Sequence, residues 1–306
     1  MINLFNIENY KINTEEFSHL LHDEIVTEFE EKFCEYVEAK YACSINSATN
    51  AIFLTFLGRG ITIDVPSVIP PVVCNGIITG GNSVNFVDNT EWVGDSYILH
   101  EFEDYKVIDS AQKVERNQFL KEANDQDLMI FSFYPTKPIG SCDGGIIVSN
   151  DWDKIQRFKE STLNGMTFSK DNWDRKIKFP GYKMYMNSFQ ARIAMNNLNK
   201  LDEKNEKLAE VRNLYNQKLG LNNQSSHLYR INVNNRDNFA SSMKLSGVHT
   251  GVHYAALHEN EVYCRKPVSL PKSSQEGQTT ISIPFHEKLT NQEINYIIEK
   301  VKKYAA

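Results

Sequence analysis

The stretch Leu128-Met-Ile-Phe-Ser-Phe-Tyr-Pro-Thr-Lys137 decides the fold and points to the chemistry. Its first seven residues are mostly apolar, and a short run of this kind predicts a strand that is buried on both faces. Pro135 ends this strand, because proline cannot donate a hydrogen bond to a sheet. Lys137 therefore follows a buried strand, where desolvation can lower the pKa of its amine and prepare it to form a Schiff base. Most lysines that follow a strand are solvated surface residues, so this lysine needs support from other positions.

Other short strands are predicted on both sides of this stretch, and helical patterns separate them. The predicted strands are residues 41–45, 61–65, 83–87, 106–109, 128–134 and 145–149, and the helices between them include residues 51–57 and 72–79. This alternation predicts an α/β fold with a large, mostly parallel sheet and helices on both faces. Such sheets bind ligands at the carboxyl ends of their strands, and Asp109 and Lys137 both lie at such ends.

The two ends of the chain add a helix and a second domain. Residues 16–39 have helical spacing, and residues 189–219 are helical again, with a break near Leu201 and a stop at Gly220. The segments expected beyond it are residues 228–233 (strand), 236–246 (helix), 248–254 and 291–304 (helix). We therefore divide the chain into a large domain, residues 1–204 with the N-terminal helix, and a small α+β C-terminal domain, residues 205–306.

Composition narrows the function classes. The 306 residues carry a net charge of −6, which gives no basic field for nucleic acid. Five cysteines without CxxC spacing indicate reduced thiols. No apolar run is long enough to span a membrane and the start does not resemble a signal peptide, so we expect a cytoplasmic protein that does not bind membranes. A zinc site from His253, His258 and Cys264 lacks the usual spacing, and no metal is expected.

Small and polar residues stand where the helix after the first strand begins. The sequence Asn46-Ser-Ala-Thr-Asn50 precedes an apolar run, so the first N–H groups of that helix are free to bind an anion. The alternative for Thr49 is plain helix capping. Helix capping is likewise the alternative to a ligand-binding role for Asp109. For Gln112, the alternative to such a role is an amide at the protein surface.

Six segments, in the same order, resemble the DegT/DnrJ/StrS family of sugar aminotransferases, which are pyridoxal-phosphate enzymes of fold type I. The similarity runs from about His22 to the C-terminus. FSFYPTKPIGSCDGG (residues 131–145) resembles the family's cofactor-lysine segment. The other five segments are NSATNAI (46–52), VIDSAQ (107–112), GYKMYMNSFQA (181–191), GVHYAALH (251–258) and SIPFH (282–286).

The resemblance implies a role for each cofactor-binding residue. Lys137 would hold pyridoxal 5'-phosphate as a Schiff base and, once released, would move a proton between the substrate and the cofactor. Asp109 would pair with the ring nitrogen, and Gln112 would lie beside the ring. Ser132 would bind the phosphate together with backbone N–H groups of Ala48 and Thr49.

The resemblance also implies the substrate and the assembly. His253, Tyr254 and His258 would line the substrate side. Lys183 would reach the phosphate from a partner subunit, because family members are homodimers with a shared active site. The implied reaction moves an amino group from an amino acid, with glutamate as the usual donor, to a nucleotide-linked ketosugar.

Several positions depart from the family pattern. Ala48 replaces a glycine, Lys183 replaces an asparagine and Tyr185 replaces an arginine. Pro70 stands where many members have an aromatic residue that stacks on the cofactor. Only 20 residues separate Asp88 from Asp109, so a strand–helix unit that helps to wall the substrate pocket is expected to be lost or shrunken.

Two other functions compete with the transaminase. Sugar dehydratases of the same family carry histidine at the position of Lys137, so the lysine counts against them. The departures at Ala48, Pro70 and Lys183 favour a catalytically degraded relative that binds the cofactor or acts as a scaffold. The retained set of Lys137, Asp109, Gln112 and Ser132 argues for the enzyme.

Overall fold

The computed structural model describes residues 1–167 and 174–305. The helices in these ranges are α1 (Ile25–Val37), α2 (Ala48–Phe56), α3 (Pro71–Thr79), α4 (Gln118–Glu122), α5 (Trp152–Thr162), α6 (Ser188–Leu198), α7 (Leu201–Leu219), α8 (Arg236–Leu245), α9 (Pro271–Thr279) and α10 (Asn291–Tyr304). The strands are β1 (Tyr41–Ile45), β2 (Thr62–Pro66), β3 (Ser83–Val87), β4 (Tyr97–Glu101), β5 (Lys106–Asp109), β6 (Leu128–Ser132), β7 (Gly145–Ser149), β8 (Tyr229–Asn232) and β9 (Thr280–Ile283).

The main sheet has five strands in the order β1-β7-β6-β5-β4. The pair β5 and β6 is parallel, and the pairs β1–β7, β7–β6 and β5–β4 are antiparallel. It follows that β1, β5 and β6 run in one direction and that β4 and β7 run in the other. The strands β2 and β3 form a separate parallel pair. The predicted α/β fold is confirmed, with β4 and β7 as the reversed strands of the main sheet.

The strand β6 is covered on both faces, as its continuous apolar run predicts. Leu128 and Ile130 belong to the core that β6 shares with α2, α3 and α5. Met129 and Phe131 belong to the core on the opposite face, with α1, α4 and α6. This division follows from the alternation of side chains along a strand. The chain beyond β6 therefore starts from a rigid, buried position.

A third core lies in the C-terminal part of the chain. It is built from α7, α8 and α10 together with the antiparallel pair β8 and β9. The helix α7 ends at Gly220, whose φ of 70° is the left-handed conformation that glycine adopts without strain. The predicted stop at this residue is confirmed, and the domain boundary at residues 204 and 205 stays a prediction.

The N-terminal helix is shorter than predicted, because α1 begins only at Ile25. The carboxylate of Asp23 accepts hydrogen bonds of 2.7 Å from both the backbone N–H and the hydroxyl of Ser18. The ring of His19 accepts from the N–H groups of Leu21 and His22. Local bonds of this kind compete with helical bonds and keep residues 18–24 irregular.

The short interval between β3 and β5 contains one strand, β4, which the sequence analysis did not predict. It pairs antiparallel with β5, and Tyr97 lies directly opposite Asp109. The missed elements also include α4, α5, α9 and β9. The segment of residues 248–254 forms single bridges, such as Gly251 with Ser282. Across the described ranges, no helix is both long and apolar enough to cross a membrane.

Candidate active site

Lys137 lies in the turn that follows β6. Its backbone N–H donates to the Tyr134 carbonyl at 2.8 Å, and the Lys204 ammonium donates to the Pro138 carbonyl at 2.8 Å, so both sides of the turn are fixed. Burial lowers the pKa of the Lys137 amine to about 8, and the nearby charge of Asp109 opposes this shift. An amine with such a pKa is partly neutral at physiological pH and is available as a nucleophile or a base.

Asp109 is the last residue of β5, and β5 runs parallel to β6. The carboxyl ends of the two strands therefore lie on the same side of the sheet. Its carboxylate is buried and accepts two hydrogen bonds, from the backbone N–H of Ala111 at 2.9 Å and from the Tyr97 hydroxyl at 3.0 Å. Burial raises the pKa of Asp109, while these two donors and the charge of Lys137 lower it. The sheet thus brings a carboxylate and an amine together in a desolvated region.

Gln112 is buried, which excludes the alternative of a surface amide. Its carbonyl oxygen accepts from the N–H of Gly94 at 2.8 Å, and its amide nitrogen donates to the Tyr254 hydroxyl at 3.0 Å. These two bonds connect the chain after β5 with the segment before β4 and with residues 253–258. Gln112 therefore links three parts of the site.

The start of α2 lies against the start of β7. Ser47 caps the helix by accepting the N–H of Asn50 at 3.2 Å, so Thr49 is not the capping residue. A Cβ on Gly145 would lie 2.6 Å from the Ala48 nitrogen, and only glycine allows this approach. Ser132, which is buried, pairs with Gly145 across β6 and β7. Ser132 and the start of α2 therefore both adjoin Gly145, and free N–H groups at the start of a helix can bind an anion.

The three residues predicted to face the substrate differ in their surroundings. The Nδ1 atom of His253 lies 2.9 Å from the Ser282 hydroxyl. Burial lowers the pKa of His253 to about 4, with help from the charge of Lys137, so this ring is neutral at physiological pH. The hydroxyl of Tyr254 is bonded to Gln112. His253 and Tyr254 are therefore close to the groups described above.

His258 is held differently. Its ring nitrogens lie 2.6 Å from the Ser67 hydroxyl and 3.1 Å from the Ser274 hydroxyl. Both nitrogens are thus engaged by serines, one after β2 and one in α9. In this arrangement His258 joins two elements, and neither ring nitrogen is free for a ligand.

Lys183 is exposed and pairs through its backbone with Leu163. Together with Arg175 and His19, its charge contributes to lowering the pKa of His22, although burial is the largest cause. The structure thus places Lys183 at the surface beside His22. Its role toward a partner subunit stays a prediction.

Three residues near the site were not singled out from the sequence. The hydroxyl of Tyr97 donates to Asp109, and the Trp92 ring packs on the Tyr97 ring with the two ring centroids 4.6 Å apart. His227 is buried, its ring stacks on Phe5, and burial with the nearby charge of Lys137 holds its pKa well below the usual range. For Trp92 and Tyr97, the sequence offers one signal, the density of aromatic residues in positions 92–105; it offers none for His227.

A sequence comparison at the family level matches most of the chain but leaves out one interval of the site. Residues 10–91 and 120–302 match the DegT/DnrJ/EryC1/StrS aminotransferase family. The unmatched interval, residues 92–119, contains β4, Asp109 and Gln112. The assignment of Asp109 therefore depends on its position at the end of β5 and on its contacts.

Individual relatives agree with the family match. The UDP-4-amino-4,6-dideoxy-N-acetyl-beta-L-altrosamine transaminase of Campylobacter jejuni is 26% identical, over 97% of this chain and 97% of its own length. Among solved structures, the aminotransferase TlmJ from Streptoalloteichus hindustanus has a TM-score of 0.83 at 20% identity, with 99% of this chain and 98% of that chain covered. PseC from Helicobacter pylori has a TM-score of 0.78 at 20% identity, with coverage of 98% and 99%. These structures show that the fold is that of fold-type-I sugar aminotransferases.

Enzymes of this family use pyridoxal phosphate, and the residues present fit that group. Lys137 offers an amine of lowered pKa, and a buried carboxylate lies nearby at the neighbouring strand end. Gly145 leaves the start of α2 accessible for a phosphate, where a larger residue would collide with Ala48. With the family, the fold and this donor set in agreement, the chain belongs to the DegT/DnrJ/EryC1/StrS family and is a pyridoxal-phosphate-dependent sugar aminotransferase.

Proposed function

We propose that this enzyme transfers an amino group from an amino acid, with glutamate as the donor, to the keto group of a nucleotide-linked sugar. The observation that carries the proposal is the proximity of Lys137 and Asp109 after neighbouring strands, where the pKa of the lysine is lowered and the carboxylate is buried. We also propose a cytoplasmic homodimer, with the large and small domains divided near residue 204.

When bound, pyridoxal phosphate would accept the electron pair that remains when a bond to the substrate carbon breaks. Lys137 would hold the cofactor covalently. Once released, its amine, partly neutral because of its lowered pKa, would take the proton from the substrate carbon and return it on the cofactor side. Asp109 would keep the ring nitrogen protonated, and Gln112 would lie beside the ring.

The phosphate would be bound by the Ser132 hydroxyl and by the backbone N–H groups of Ala48 and Thr49, with Lys183 of a partner subunit as an added positive charge. We assign His253 and Tyr254 to the substrate side, because the charge of Lys137 contributes to lowering the pKa of His253 and because Tyr254 contacts Gln112. His258 is proposed to support that side through its two serine contacts instead of through a ligand contact.

A UDP-linked sugar is the first substrate to test, because the Campylobacter jejuni relative is named for one. A cleft of about 360 Å³ reaches Lys137 and is lined by Tyr10, Ser141, Lys200 and Lys204 among others. Three lysines of the lining form ion pairs with its glutamates, Lys200 and Lys288 with Glu8 and Lys207 with Glu203, so the charge of the cleft does not select the ligand. The retained lysine at position 137 disfavours the dehydratase.

The proposal is tested by incubating the protein with pyridoxal phosphate, glutamate and UDP-linked 4-keto-6-deoxy sugars, and by measuring the amino sugar and 2-oxoglutarate by mass spectrometry. We expect both products in equal amounts, and none with Lys137→Ala. The control Lys32→Ala, at an exposed position of α1, should retain full turnover. A protein that binds the cofactor but produces neither compound from any nucleotide-linked ketosugar would support the scaffold.

A further inference from the structure

The unpredicted strand β4 places a phenol on the carboxylate of Asp109. Tyr97 is the cross-strand partner of Asp109, and residues opposite each other in an antiparallel pair share one face of the sheet. The Tyr97 hydroxyl donates to Oδ2 of Asp109 at 3.0 Å, while Oδ1 accepts the N–H of Ala111. Among the described residues, Asp109 thus has one donor on each oxygen, a side chain (Tyr97) on Oδ2 and a backbone N–H (Ala111) on Oδ1.

The chain around Tyr97 is fastened to the segment that begins with Asp109. The N–H of Gly94 donates to Gln112 at 2.8 Å, and the carboxylate of Asp95 lies 2.8 Å from the Lys113 ammonium. The Trp92 ring packs on Tyr97, and its indole N–H donates to the Val68 carbonyl at 3.1 Å. These contacts fix the phenol in place, so its bond to Asp109 is built into the fold.

A buried carboxylate with too few donors takes up a proton and becomes neutral. Asp109 is buried, and its second donor, Tyr97, comes from the short interval between β3 and β5. Each carboxylate oxygen has two acceptor sites, so Oδ2 can accept both the Tyr97 hydroxyl and a ring N–H. The phenol and the ring nitrogen therefore do not exclude each other.

We propose that Tyr97 is a positioning residue for pyridoxal phosphate. Its phenol orients the Asp109 carboxylate and keeps it ionised, so that the ring nitrogen of the cofactor stays protonated. This inference rests on the role proposed above for Asp109. Without the phenol, Asp109 becomes more basic, and the shared proton moves from the ring nitrogen toward the carboxylate.

The test is the ¹⁵N NMR shift of ring-labelled pyridoxal phosphate bound to the full-length protein, together with the Kd of the cofactor from fluorescence quenching. The unaltered protein should give the shift of a protonated ring. Tyr97→Phe should move the shift toward that of a neutral pyridine and raise the Kd about tenfold or more, because a hydrogen bond to a charged group is lost. Tyr105→Phe is the matched control, since Tyr105 follows β4 and its hydroxyl contacts Arg59 instead of Asp109. It should change neither quantity.

A double-mutant cycle separates a role through Asp109 from a general structural role. In an Asp109→Asn background, Tyr97→Phe should have no further effect on the Kd, because the two residues act together. Equal losses in both backgrounds would overturn the proposal. If circular dichroism shows that Tyr97→Phe does not fold, Trp92→Phe is used in its place, because it reduces the packing against the Tyr97 ring. It should shift the ¹⁵N signal in the same direction, and an unchanged signal would refute the role of Tyr97.

The outcomes also distinguish this inference from the proposed function. A protonated ring in the unaltered protein that stays protonated in Tyr97→Phe would remove the role of Tyr97 and leave that of Asp109 intact. A neutral ring in the unaltered protein would remove the role of Asp109 itself.

Discussion

At Lys137, burial and a nearby carboxylate act in opposite directions on one amine. Burial dominates, and the pKa falls to about 8. At pH 7 about one amine in ten is then neutral, compared with fewer than about one in a thousand for an ordinary lysine. The chemistry proposed for this residue needs that neutral fraction, because only the unprotonated amine attacks a carbonyl carbon or accepts a proton.

The first prediction is a pH dependence of covalent cofactor attachment to the cofactor-free protein. The pKa is lowered, so the neutral amine increases as the pH rises through about 8 and is nearly complete one unit above it. The attachment rate, followed by stopped-flow absorbance, should rise about tenfold per pH unit below 8 and then level off. A midpoint near the ordinary lysine value would contradict the desolvation described here.

Among the elements, the strands that build the site could be predicted from the sequence, because one short apolar run ends in Asp109 and the other is followed by Pro135. The strand β4 could not be predicted, because its five residues, Tyr-Ile-Leu-His-Glu, form no continuous apolar run and it lies at the edge of the sheet, paired with β5. Tyr97 was therefore missed along with β4. Gly145 was missed as a site residue because its importance depends on the approach of α2 to β7, a contact between segments about 100 residues apart. The substrate-side role of His258 was predicted from a motif. Its contacts with Ser67 and Ser274 could not be predicted in this way, because they join distant segments of the chain.

The second prediction concerns the contact of α2 with β7. In Gly145→Ala, the added Cβ would lie 2.6 Å from the Ala48 nitrogen, and the start of α2 must move. We expect a loss of about 1–3 kcal/mol in the free energy of unfolding, together with weaker binding of pyridoxal phosphate. The affinity for pyridoxal, which has no phosphate, should change much less.

Gly220→Ala is the control for this variant. Gly220 ends α7 at a φ of 70° with no atom close to an added Cβ, so the substitution costs about 1 kcal/mol through backbone strain alone. Thermal unfolding should register this cost while both cofactor affinities stay unchanged. Equal losses for pyridoxal and pyridoxal phosphate in Gly145→Ala would show that the start of α2 does not bind the phosphate.

At the scale of the whole molecule, Lys183 is the residue proposed to reach the site of a partner chain. Lys183 is exposed beside His22, and the groups that shift the pKa of Lys137 and Asp109 do not include it. This position agrees with a residue that serves the site of a partner chain. The fold class followed from the sequence, whereas an assembly depends on surfaces whose complementarity a single sequence does not display.

The third prediction is complementation between two impaired variants. Lys137→Ala removes the amine from one chain, and Lys183→Ala removes the charge given to the partner's phosphate. In mixed dimers one of the two sites has both lysines, so equimolar mixing after dissociation should restore about a quarter of the unaltered turnover. Lys183→Ala alone should weaken cofactor binding. Turnover of the mixture that equals the mean of the two variants would contradict a shared site.

The attachment of pyridoxal phosphate to Lys137 is tested by the absorbance of the purified protein loaded with the cofactor, followed by borohydride reduction and peptide mapping. We predict a yellow band that borohydride bleaches, with the reduced cofactor attached to Lys137 and to no other lysine. A colourless protein that gains no band when pyridoxal phosphate is added, or a reduced cofactor on a different lysine, would contradict the account.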